Sequence, residues 1–143
     1  MVDQKGDIDN PDHGNEVDVL NQPEATDASR LMVLMFTDLV ASSAAKVELG
    51  DVDYAEKLAK PHNRIFRDIL ARFPGAEENN YTGDGFLATF ARVSDAVNAA
   101  LLFHHALRTY EWDLPSKPQV CIGIHVGQTM ELEGADDSKL LIA

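Results

Sequence analysis

The sequence predicts an α+β fold: a ferredoxin-like, palm-like sheet containing antiparallel strands, with helices on one face. Three observations carry that expectation. An unbroken apolar run, Leu31 to Phe36, has the length of a buried strand. Segments of helical period follow it, and a Gly83-Asp84-Gly85 turn separates two later strand-like stretches. Read in order, the elements are β-α-α-β-β-α-β, the pattern of a split βαβ sheet.

The first strand begins at Arg30. Its run Leu31-Met-Val-Leu-Met-Phe36 ends at Thr37-Asp38, which suits a strand buried on both faces. Ser42-Ser43 can cap a helix that reaches Gly50. A second helix follows Pro61, with Ile65, Phe66, Ile69, Leu70 and Phe73 on one side and Pro74-Gly75 as its stop. Ala76 to Thr82 and Phe86 to Phe90 form a hairpin around the glycine turn. Ser94 is placed to cap a third helix, whose Val97, Ala100, Leu101, His104 and Leu107 share a face. After Pro115 and Pro118, Gln119 to Val126 reads as the last strand, ended by Gly127.

A length of 143 residues gives one domain, 30–143, behind an acidic leader. Residues 1–29 carry eight carboxylates against Lys5 alone, with Pro11, Gly14 and Pro23 interrupting them. That composition buries too little apolar surface to offset chain entropy, so the segment is expected to be disordered. Its Asp7 to Gly14 stretch superficially resembles a calcium loop, but the glycine falls too late and Pro11 occupies a ligand position. A net charge of -12, with no clustered Lys/Arg stripe, argues against nucleic acid as a partner. The longest apolar run is far short of the about 20 residues that cross a bilayer. The N-terminus also lacks a basic and apolar secretory pattern. A single cysteine, Cys121, gives no disulfide framework and points to a reducing, cytoplasmic setting.

In the split βαβ arrangement the first two strands run parallel with the third inserted between them. Asp38, at the end of strand one, and Asp84, in the hairpin after strand two, then meet at one edge. Two adjacent carboxylates are unfavourable unless a cation neutralises them. Mg2+ or Mn2+, hard ions that take oxygen ligands and keep positions for phosphate oxygens, fits a pair of aspartates without His or Cys. Leu39-Val40-Ala41-Ser42-Ser43 leads from Asp38 into a helix N-terminus, where free amides and the dipole favour an anion such as a polyphosphate. Two such ions and the amides suit in-line attack by a hydroxyl.

Val33-Leu-Met-Phe-Thr-Asp38-Leu-Val, Tyr81-Thr-Gly-Asp84-Gly-Phe-Leu-Ala-Thr-Phe90 and Ile122-Gly-Ile-His-Val-Gly127 together resemble the class III adenylate/guanylate cyclase catalytic domain, over about residues 31–143. The resemblance implies conversion of ATP or GTP to the 3′,5′-cyclic nucleotide and pyrophosphate, at sites formed between two head-to-tail protomers of a homodimer. It makes Asp38 and Asp84 the ligands of two Mg2+ or Mn2+ ions and lends the Leu39 carbonyl to one of them. Val40, Ala41, Ser42 and Ser43 fall where the family binds the terminal phosphates. Asn80 stands where the family carries a base-reading lysine, so the choice of purine stays open. The family's Val-Asn-x-x-x-Arg segment, which orients ribose and stabilises the transition state, is absent before Ala143. The domain is therefore expected to be incomplete at its C-terminal end and the isolated chain inactive.

Two rivals belong beside this reading. One is a degenerate cyclase-like module that binds nucleotide or dimerises to regulate a partner, favoured by Asn80 and the missing segment. The other is a diguanylate cyclase, which expects an acidic residue where Gly85 stands. Other chemistry-bearing residues are assigned bland roles. His125 is read as a core or edge histidine, His104 as packing, His105 as solvent-facing, and Cys121 as a small buried apolar group. Tyr110 and Trp112 are read as core or rim packing, and Asn80-Tyr81-Thr82 as a chance glycosylation pattern.

Overall fold

The computed structural model describes residues 30–133 and 139–142; the expectation for residues 1–29 lies outside them. The elements are β1 (Arg30–Leu39), α1 (Ser42–Asp53), a π-helical segment (Tyr54–Ala59), α2 (Lys60–Leu70), β2 (Glu77–Tyr81), β3 (Gly85–Phe90), α3 (Val93–Thr109), β4 (Val120–Glu133) and β5 (Lys139–Ile142). They build the expected α+β fold, with a sheet in the order β2-β3-β1-β4-β5. Each neighbouring pair is antiparallel, so β1 and β2 run parallel with β3 between them.

One face of β1 and β3 carries the core. Val33, Met35, Thr37 and Leu39 alternate in register with Phe86, Ala88 and Phe90, and all of these are buried. Phe66 of α2 stacks on Phe86 at 4.1 Å between ring centroids and meets Phe103 of α3 edge-on at 5.2 Å. The helices thus reach the sheet through aromatic rings, whose offset and edge-on contacts add to area burial. The opposite face is only partly covered. Leu34 is buried, but Phe36 is 48% exposed, which corrects the expectation of burial on both faces.

Local capping differs from the sequence reading as well. Neither Ser42 nor Ser94 caps a helix: Ala41 and Arg92 occupy those positions and neither makes a side-chain cap. The first helix kinks at Gly50 (φ 77°), a left-handed conformation that glycine adopts without steric cost, and continues to Asp53. On α3 the buried residues are Asp95, Ala96, Ala99, Ala100, Phe103 and Leu107, while Val97 and Leu101 are 41% and 63% exposed. The expected face is rotated because small alanines sit against the sheet, letting Phe103 reach the aromatic cluster. His104 is accordingly exposed rather than packed, His125 is exposed rather than in the core, and His105 faces solvent as expected. Gly127 does not end β4, which continues past it and pairs with β5 through Met130 to Glu133. Cys121 is exposed because it follows the odd-even alternation onto the face opposite the core. Trp112 packs against the core, its indole N–H donating to the Leu107 carbonyl at 2.8 Å.

His62 is fully buried between Phe86 and Phe103, with Nδ1 3.0 Å from Asn63 Oδ1 and Nε2 unpartnered. Burial pulls its pKa below the ordinary histidine value, against weaker opposing effects of Asn63 and Asp84. Below about pH 6.5 the unfolded chain therefore takes up a proton that the folded chain resists, and stability falls as pH drops through that range. Denaturant titration at about pH 7 and about pH 5 should show a smaller loss for His62→Gln than for the parent; equal losses would exclude His62 as the source.

Candidate functional site

The rim of the sheet forms where β1 ends and β3 begins. Asp38 lies opposite Gly85 in the antiparallel register. The ladder extends one step further, with the Leu39 N–H donating to the Asp84 carbonyl at 3.1 Å. Two residues 46 positions apart in the sequence are thereby carried on adjoining strand ends, as the topology predicted.

Asp84 is held by hydroxyls rather than by cations. Ser42 Oγ donates to Asp84 Oδ2 at 2.7 Å and Thr82 Oγ1 lies 3.3 Å from Asp84 Oδ1. The turn itself is fixed by the Thr82 N–H donating to the Gly85 carbonyl at 3.0 Å and by Gly83 at φ 103°. Tyr81 closes the other side, its hydroxyl donating to the Gly83 carbonyl and accepting from Asn63 Nδ2. Arg67 braces the hairpin through a two-pronged pair with Glu78, at 2.8 Å for both bonds, and lies over the Tyr81 and Phe86 rings. Among the described residues neither Asp38 nor Asp84 has an ion-pair partner, and no group of three or more His, Cys, Asp or Glu side chains is poised for a metal.

Between the two carboxylates and α1 the chain turns sharply. Ala41 takes a left-handed conformation (φ 56°, ψ 34°), the one positive-φ residue other than glycine among those described. Such a conformation is strained for a residue with a Cβ. The next residue, Ser42, opens α1 and reaches Asp84 through its hydroxyl. The amides of Ser42, Ser43 and Ala44 open the helix and have no intrahelical acceptor. The Val40 amide is spoken for, donating to the Gln119 carbonyl at 2.9 Å. Of the predicted phosphate-binding residues, Val40 thus offers no free amide, while Ser42 and Ser43 line a cleft of about 220 Å³ with Asp84, Thr82 and Gly83.

Two lining residues escaped the sequence reading: Lys46 and Tyr54. Tyr54 lies 16 residues from Asp38, beyond a glycine kink and a π-helical turn that helical periodicity does not anticipate. Burial raises the Tyr54 phenol pKa, followed by the charges of Asp84, Tyr81 and Asp38. A second cleft, of about 310 Å³, lies on the other flank of α1, with Leu39, Ala44, Leu49, Leu58 and Leu114 in its apolar lining.

Asn80 is placed apart from this cleft. A bulge at Asn79 shifts the β2 register, so Asn80 pairs with Leu87 on the exposed face, and its side-chain oxygen accepts from the Tyr81 N–H at 2.8 Å. Gly85 could carry no side chain: a Cβ there would lie 2.1 Å from the Thr37 carbonyl oxygen. That close approach rules against the acidic residue a diguanylate cyclase expects at this position.

No protein-family model matches the chain, and no curated protein matches it. Solved structures do. The guanylate cyclase domain of RhGC from Catenaria anguillulae, in complex with GTP, superposes with a TM-score of 0.68 at 16% identity, over 79% of this chain and 66% of that one. The catalytic core of a rhodopsin-guanylyl cyclase with converted specificity, in complex with ATPalphaS, gives 0.69 at 17% identity, over 80% and 66%. Adenylate cyclases from Trypanosoma brucei in their monomeric state give 0.68 at 16%, over 82% and 63%. The chain has the fold of a nucleotide cyclase catalytic domain. It spans about two thirds of the length of these cyclase domains. Among the described residues no helix is long and apolar enough to cross a membrane.

Proposed function

We propose that this chain is a nucleotidyl cyclase domain that binds ATP or GTP with two Mg2+ or Mn2+ ions and serves the formation of 3′,5′-cyclic nucleotide and pyrophosphate. The observation that carries the reading is the register pair Asp38 and Gly85, which sets Asp38 and Asp84 on adjoining strand ends beside the open amides of α1. The donor set suits the ions: two carboxylates free of cationic partners and the Leu39 carbonyl, all hard oxygen donors, leave positions for phosphate oxygens. Bound ions would neutralise the phosphates and favour ionisation of the attacking hydroxyl.

In the reaction the ribose 3′ oxygen forms a bond to the α phosphorus, the bond from that phosphorus to the departing pyrophosphate breaks, and the hydroxyl proton is lost. The chain's own residues position the reactants. Ser42 and Thr82 orient the Asp84 carboxylate, and the first-turn amides of α1 hold the terminal phosphates. Asn80, on the exposed sheet face and away from the cleft, reads the purine of a nucleotide bound to a second copy, with its amide nitrogen as donor. The site is therefore completed by a homodimer, in a cytoplasmic setting.

A second reading, a regulatory dimerisation module, is favoured by Asn80 itself, an uncharged amide whose oxygen is already engaged by Tyr81. Calorimetry separates the two. Mn2+-dependent binding of a non-hydrolysable ATP or GTP analogue to the full chain supports the nucleotide site, and absence of binding with either analogue overturns it in favour of the module.

A further inference from the structure

Lys46 is the one cation among the residues lining the cleft that holds Asp84. It sits three and four positions after Ser43 and Ser42, so all three lie on one side of α1. Its ammonium is 3.5 Å from Asp51 in an exposed pair. Such pairs contribute little and release the lysine readily. Tyr54 comes to the same cleft by another route. Gly50 kinks the chain at φ 77°, and a π-helical turn opens at Tyr54, returning its ring toward the flank of α1 that carries Lys46. Wide helical turns of this kind recur at functional sites.

The dimensions of the cleft say which part of a ligand it takes. At about 220 Å³ it falls below the range of about 300–1,000 Å³ typical of sites that enclose a whole small molecule. It is lined by hydroxyls, an ammonium and a carboxylate, which suits a charged terminus rather than a purine. Two carboxylates and a polyphosphate outweigh the charge of two divalent ions, leaving a surplus that a lysine at the lip can offset.

We propose that Lys46 and the Tyr54 hydroxyl form a two-point clamp on the terminal phosphate of a bound nucleoside triphosphate. The inference rests on the nucleotide reading above and adds to it two residues outside the sequence motifs. Lys46 supplies the charge and Tyr54 donates one hydrogen bond from a ring fixed by core packing.

The test is calorimetry on the full chain with Mn2+, using a non-hydrolysable ATP analogue and inorganic tripolyphosphate. Lys46→Ala should weaken both ligands about tenfold and Tyr54→Phe about three- to tenfold, as loss of a hydrogen bond to a charged group does. Lys46→Arg should restore affinity to within about threefold of the parent, since charge is what the position supplies. Thermal melts check that each variant is folded. Unchanged affinity in Lys46→Ala and Tyr54→Phe overturns the clamp while leaving the nucleotide site standing. Weakening of the ATP analogue but not of tripolyphosphate also overturns it, because the contact would then lie elsewhere on the nucleotide. A parent chain that binds neither ligand overturns the nucleotide reading, and the clamp with it.

Discussion

Asp84→Asn should reduce Mn2+-dependent binding of an ATP or GTP analogue at least about a hundredfold. Disturbing groups that merely orient metal ligands typically costs 10–100-fold in metal affinity, so removing a charged ligand outright belongs at or beyond the upper end. The substitution spares the fold. Asparagine keeps an oxygen that can accept from Ser42 Oγ, now 2.7 Å from the carboxylate, and the backbone contact with the Leu39 N–H is untouched. A second readout does not depend on ligand. The Tyr54 phenol pKa is raised first by burial and next by Asp84, so the variant should titrate Tyr54 at lower pH than the parent, though still above the ordinary tyrosine value. Spectrophotometric tyrosine titration and calorimetry together give the check. Retained metal-dependent binding alongside the expected phenol shift would show that Asp84 lies in the cleft but holds no ion.

The parts of the site that the sequence revealed are those fixed by local pattern and topology. The apolar run ending in Thr37-Asp38 and the glycine turn around Asp84 each announce a strand boundary. The antiparallel register of β1 and β3 then leaves one way for those boundaries to meet. The same logic implies the parallel relation of β1 and β2, with β3 between them. What periodicity could not show was which side of an element the tertiary structure would bury. On α3 the larger apolar residues Val97 and Leu101 suggested one face, but Ala96, Ala99 and Ala100 make the close approach to the sheet and Phe103 fills the space between. Cap positions failed for a related reason. Ser42 is a good N-cap by type, yet its hydroxyl is drawn to the carboxylate of Asp84, a partner 42 residues away that no local rule contains. Lys46 and Tyr54 were missed because a left-handed Ala41, a kinked Gly50 and a π-helical turn decide where they lie.

Gly85→Ala tests the strand register on which the site depends, through stability rather than binding. A Cβ at Gly85 would stand 2.1 Å from the Thr37 carbonyl oxygen and 3.2 Å from its carbon. Both are backbone atoms of the neighbouring strand, so no rotamer change relieves the contact. Thr37 is itself fixed, buried and accepting from the Phe86 N–H through Oγ1 at 3.1 Å. The strands must separate beside Asp38, in a core packed too tightly to absorb the shift. Overpacking of well-filled sites costs about 1–3 kcal/mol, and a clash of a Cβ with a neighbouring strand's backbone belongs at about 3 kcal/mol or above. Gly123 supplies the control. It lies in β4 of the same sheet, and a Cβ there would meet nothing within 4 Å. Gly123→Ala should be neutral or stabilising by up to about 1 kcal/mol, since alanine loses less chain entropy on folding. Denaturant midpoints for the two variants should therefore move in opposite directions or by clearly different amounts. If they moved together, β1 and β3 would not approach as closely as the register requires, and Asp38 and Asp84 would lose the backbone geometry that brings them to one rim.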